Sequence, residues 1–106
     1  MASESDEITY YRLYVSDAAL RDIEAIYAFL LENADELAVA RQGSVIFTRI
    51  EKLKVFPNGY PICELFPSLR MAHAGKYLIL FRVDNKSKSV NVVRIFHTHQ
   101  NIDGEI

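Results

Sequence analysis

Cysteine, proline and glycine are scarce in this chain, at one, three and four residues among 106, and neither sign of charge dominates it. The lone Cys63 cannot form an intramolecular disulfide. No apolar run reaches membrane-spanning length and no secretory core follows the N-terminus, so a cytoplasmic protein without membrane contact is expected. Lys and Arg total 12 against 14 Asp and Glu, a formal charge of -2. A whole-molecule field that draws polyanions is therefore excluded, and direct DNA binding by this chain alone is not expected. His97 and His99 share a strand face by their spacing, but with no well-placed third ligand from His73 or Cys63 they do not make a zinc site. No cofactor motif, internal repeat or low-complexity segment stands in the sequence.

What is present is a half-apolar chain of single-domain length. Residues 1–9 form a polar, acidic lead expected to be disordered, residues 10–101 the domain, and 102–106 a short tail. From Tyr10 to Val15, Tyr11, Leu13 and Val15 alternate with Tyr10, Arg12 and Tyr14, the period of a strand. Ser16 and Asp17 then provide an N-cap and a favourable first-turn charge. Leu20, Ile23, Ile26 with Tyr27, and Leu30 recur at helical steps, predicting a helix to about Asn33. A second helix is predicted from about Asp35 to Val55, with Val39, Ile46, Ile50 and Leu53 as its buried stripe. The short link makes the pair an antiparallel hairpin, and Gly43 inside the second helix suits a close approach between them.

Pro57, Asn58-Gly59 and Pro61 stop the helix and open a loop to about Pro67. Ser68-Leu69-Arg70-Met71 reads as a basic entry into a sheet. Lys76 to Asp84 is apolar on both faces, as a central strand requires, and a polar turn leads into Val90 to His97. Strict alternation sets Val90, Val92, Arg94 and Phe96 on one face of that last strand, with Val93, Ile95 and His97 on the other. The expected fold is α+β: an N-terminal strand, an antiparallel helical hairpin, and an antiparallel sheet of two to three strands with the helices on one face.

This order of elements, with Leu53-Lys54-Val55-Phe56-Pro57, Leu69-Arg70, Gly75 to Asp84 and Val92 to Gln100, resembles the RelE/ParE superfamily of bacterial toxins from about Tyr10 to Asn101. The resemblance implies the toxin of a type II toxin–antitoxin module, held inactive by a cognate antitoxin of the ParD or RelB type. Two activities divide that superfamily. RelE-like members cleave mRNA on the ribosome, and ParE-like members, the plasmid-stabilisation branch, inhibit DNA gyrase.

A metal-independent ribonuclease needs cations aimed at phosphorus and groups that exchange protons with the reacting oxygens. Arg70 matches the first arginine of the RelE-like pattern and His97 the terminal histidine of some nuclease relatives. The second arginine position, however, holds Leu78, and the terminal tyrosine position holds Thr98. The ParE-like reading is favoured, with no cofactor and no metal. Arg70 and His97 are catalytic only on the nuclease reading. Arg70, Arg82, Arg94 and His99 are the expected contacts to target or antitoxin, against structural roles in salt bridges or packed stems. An inactive relative that only binds antitoxin is a further alternative. Lys52 and Lys54 suit phosphate contacts or the helix dipole, and Cys63 reads as a packed residue.

Overall fold

The computed structural model describes residues 9–98, and His99, the tail and all but the last residue of the lead lie outside them. Strand β1 (Arg12–Val15) leads into helices α1 (Asp17–Asn33) and α2 (Glu36–Lys52). Strands β2 (Arg70–Ala74), β3 (Tyr77–Asp84) and β4 (Ser89–His97) complete the fold. The predicted Ser16 cap forms, its side chain accepting from the Ala19 N–H, and Asp35, at the predicted start of the second helix, caps it by accepting from the Ala38 N–H.

The α+β class, the helical hairpin on one sheet face and the three antiparallel strands hold, and the N-terminal strand joins them as a fourth. Four strands run in the order β1-β4-β3-β2, with β1 parallel to β4 and the other pairs antiparallel. A connection containing two helices and two strands lets β1 lie parallel beside β4, which a tight turn would forbid. Tyr10 sits outside the ladder and bridges Val55, while the Tyr11 N–H donates to the Lys54 carbonyl.

The expected alternation along β4 breaks at a bulge. Phe81 pairs with Val92 and Leu80 with Arg94, leaving Val93 without an opposite residue. One extra residue inverts the facing of every later position on the strand. Val90, Val92 and Ile95 accordingly share the cluster beneath the helices, and Val93 and Phe96 join the cluster on the opposite face. Along β3, Tyr77, Ile79 and Phe81 meet Ile46, Ile50 and Leu53 of the hairpin, and Leu80 meets Cys63, Leu69 and Phe96. Phe81 and Leu80 are both fully buried, each worth about 1.5–3 kcal/mol relative to exposure.

Two corrections concern the helices. Leu20, placed in the buried stripe by its spacing, is 46% exposed, and Ala19 is fully buried instead. Ser16 explains this: its N–H donates to the Val92 carbonyl and its hydroxyl to the Val93 carbonyl at 2.8 Å, drawing the first turn so near the sheet that a methyl group fills the gap. Helix α2 stops at Lys52 rather than Val55, because Phe56 adopts a left-handed conformation (φ 51°) just before Pro57.

Charge also ties α1 to the sheet. The Asp22 carboxylate accepts from Arg94 Nε at 2.8 Å and Nη2 at 3.0 Å, and from the Ile95 backbone N–H at 2.9 Å. Both side chains are mostly shielded from water, so the bonds are worth more than those of a surface pair. At the β3–β4 turn, the backbone N–H groups of Ser87 and Lys86 hold the Asp84 carboxyl below the usual carboxylate range.

Between the helices, a Cβ at Gly43 would stand 2.5 Å from the Tyr27 hydroxyl and 2.8 Å from its ring. Gly43 is thus the seat of Tyr27. In a Tyr27→Ala background, Gly43→Ala is expected to stabilise by about 1 kcal/mol through helix propensity, and in the parent chain to lose that gain to the displaced ring. Urea unfolding of the four proteins reads the coupling. Asp22→Ala should cost about 2–3 kcal/mol in the same assay, because it removes the carboxylate that accepts from a mostly shielded guanidinium and from the Ile95 backbone N–H. Asp22→Leu combined with Arg94→Met should cost less than Asp22→Ala alone.

Candidate functional site

The residues singled out in the sequence occupy separate parts of the sheet. Arg70 starts β2, partly buried, and its Nη1 donates to the Tyr60 carbonyl at 2.6 Å. Its partner is thus a backbone carbonyl rather than the carboxylate of a salt bridge. Tyr60 packs edge-on against Phe81 at 5.5 Å, so the Arg70 guanidinium is tied to a residue anchored on the core. Arg82 lies on β3 opposite Asn91 with its side chain exposed. Arg94 is engaged by Asp22 and stacks over the Phe96 ring at 4.6 Å.

His97 ends β4, its ring edge-on to Tyr77 at 5.5 Å. Burial pushes the Tyr77 phenol up, so it remains a neutral donor through the physiological range. These two rings, with Asp22, Ile26, Phe29 and Ile95, line a cleft of about 380 Å³ between α1 and the sheet. Asp22 is a residue that sequence reasoning missed. An acidic residue five positions into a helix carries no signal of its own, and only the fold brings it to Arg94.

Strand pairing fixes how far apart the two principal candidates stand. Arg70 is opposite Phe81 and His97 opposite Tyr77, on the two sides of β3. At about 3.3 Å per residue along a strand and about 4.8 Å between strands, their Cα atoms are about 16 Å apart. They do not converge on one point. Leu78, where a second arginine would stand in a RelE-like pattern, packs into the cluster of Cys63, Leu69, Leu80 and Phe96. Cys63 is buried there as a free thiol. Among the described residues no group of His, Cys, Asp and Glu is placed to hold a metal ion.

The outer face of the helical hairpin has a different character. Phe29, Leu31, Leu37 and Phe47 are each more than half exposed. A shallow groove of about 420 Å³ runs between the helices, lined by Tyr27, Val39, Ala40, Gly43, Ser44 and Phe47. The signal for it was present in the sequence as apolar residues lying off the single core-facing stripe of each helix. Tyr14 on β1, and Tyr10 just before it, add exposed aromatic surface elsewhere.

The chain resembles known proteins at two levels. No curated protein sequence matches it. Among solved structures, it resembles one of the chromosomal ParDE toxin–antitoxin system of P. aeruginosa, with a TM-score of 0.73, 20% identity, and 84% of this chain and 97% of that one covered. A structure of the RelBE2 toxin–antitoxin complex of Mycobacterium tuberculosis matches with a TM-score of 0.61 at 19% identity, covering 86% and 94% of the two chains. A conserved hypothetical protein of Helicobacter pylori matches at 0.52 and 16% identity, covering 82% and 93%. At such identities these likenesses speak for the fold. The family model for the ParE toxin of type II toxin–antitoxin systems matches residues 13–102, nearly the whole chain, and the protein belongs to that ParE toxin family.

Proposed function

We propose that this toxin acts as ParE-like proteins do in the parDE module, by binding DNA gyrase rather than by cutting RNA, and that a cognate antitoxin neutralises it. The observation that carries the choice is Leu78. The position that would need a cation to stabilise charge on phosphorus is occupied by a side chain packed in an apolar cluster. The separation of Arg70 from His97 supports the same reading, since general acid–base catalysis requires both groups within hydrogen-bond reach of one reacting centre. On this reading Arg70, Arg82 and Arg94 are contact or positioning residues, with His99 as a further contact, and the protein works in the cytoplasm, where gyrase is.

The antitoxin reading rests on the family and on the hairpin. An exposed apolar groove of this kind is what an amphipathic segment of a ParD- or RelB-type antitoxin would cover, laying one face of a helix between α1 and α2. The same surface, left bare, would be an association hazard for a free toxin.

Two measurements test the proposal. In a supercoiling assay with purified gyrase, the free toxin should inhibit, and Arg70→Ala should weaken inhibition roughly tenfold if the arginine makes a charged contact. Primer extension on a translated message should show no toxin-dependent cleavage. Unchanged supercoiling together with codon-spaced cuts lost in Arg70→Ala and His97→Ala would establish the ribosome-dependent nuclease instead, and neither effect would mark an inactive, antitoxin-binding relative. Separately, Val39→Glu and Phe47→Glu in the groove should weaken antitoxin binding by at least tenfold in calorimetry. Circular dichroism of the two variants should match the parent.

A further inference from the structure

Helix α2 and the end of β2 enclose a second groove whose chemistry differs from that of the others. It holds about 250 Å³ and is lined by Ser44, Thr48, Arg49 and Lys52 on the helix, and by His73 and Gly75 on the sheet side. In a protein with a net charge of -2, no carboxylate among the described residues lines this groove. Ser44, Thr48 and Lys52 recur at steps of four, so two hydroxyls and an ammonium stand in a row along one face of α2.

Arg49 is fixed in place rather than free. Its Nε donates to the His73 carbonyl at 3.1 Å and its Nη1 reaches the Tyr60 hydroxyl at 3.4 Å. Those bonds hold the guanidinium plane against the edge of β2 and leave its other N–H donors available. A fork held in this way loses little side-chain entropy when it grips a ligand. Arg49 and Lys52 lie in the last turn of α2, where the helix dipole favours cations, and the bonds of Arg49 to the sheet add to that interaction. Lys52 has no ion-pair partner among the described residues; the neighbouring Glu51 is paired with Lys54 at 2.6 Å and faces another groove.

We infer that this groove binds a phosphate oxyanion, through Arg49 and Lys52 with the hydroxyls of Ser44 and Thr48 as additional donors. A tetrahedral group with several acceptor oxygens matches a rigid fork, a mobile point charge and two hydroxyls better than a planar carboxylate does. The negative end of the α2 dipole opposes any anion here, which keeps the affinity for an isolated phosphate on the order of 1 mM. The inference stands apart from the gyrase reading, since the test needs neither toxic activity nor an antitoxin.

Titrating the full-length ¹⁵N-labelled chain with inorganic phosphate should shift the backbone amides of Thr48 and Gly75 saturably. Lys52→Gln and Arg49→Gln should each weaken binding roughly tenfold, while Arg12→Gln, the same charge change at an exposed site elsewhere, should leave it unaltered. Arg49 also supports the fold, so Lys52→Gln carries the test by itself. A short single-stranded oligonucleotide that binds more tightly than phosphate, with a steep salt dependence, assigns the site to a nucleic-acid backbone; equal affinity assigns it to free phosphate. Absence of saturable shifts, equal shifts with acetate, or equal weakening in Arg12→Gln would overturn the inference.

Discussion

The burial of β3 on both faces is the constraint on which the rest of this structure depends. A strand with Tyr77, Ile79 and Phe81 on one side and Leu78 and Leu80 on the other needs two covers. The helical hairpin supplies one. The segment carrying Cys63, Phe66 and Leu69 supplies the other, although it has no regular structure through most of its length. That segment is held by its own backbone bonds, from the Cys63 N–H to the Leu69 carbonyl and from the Met71 N–H to the Pro61 carbonyl. With both faces of β3 covered, the edges of the sheet and the outer surface of the hairpin offer exposed surface for contacts with other molecules.

Much of this was legible in the sequence because it is local. Ser16 announces its helix through capping chemistry, and the double-sided apolar pattern of β3 marks a central strand. The features that were not legible depend on distant parts of the chain. The parallel pairing of β1 with β4 has no local signature, and a bulge at Val93 leaves no trace in a run of apolar residues that fits either facing. Ala19 in place of Leu20 reflects a helix-to-sheet distance that periodicity does not encode.

The site residues divide in the same way. Residue type was enough to single out Arg70 and His97, but only strand pairing reveals that they stand on opposite sides of β3. Arg49 is one of several helical cations in the sequence, and its distinction comes from reaching the β2 edge. Side-chain chemistry is readable one residue at a time. Convergence is a property of the topology.

That topology also governs when the molecule can exist. Arg12 pairs with Ser89, a separation of 77 residues, and Tyr14 with Asn91. Closing so long a loop is entropically costly and waits on the partner strand. On the ribosome, β1 and the hairpin emerge early but have no sheet to complete until β4 has left the exit tunnel. The finished surface therefore forms only after β4 has been synthesised, and a product truncated before β4 has neither the partner of its first strand nor the counter-ion of Asp22.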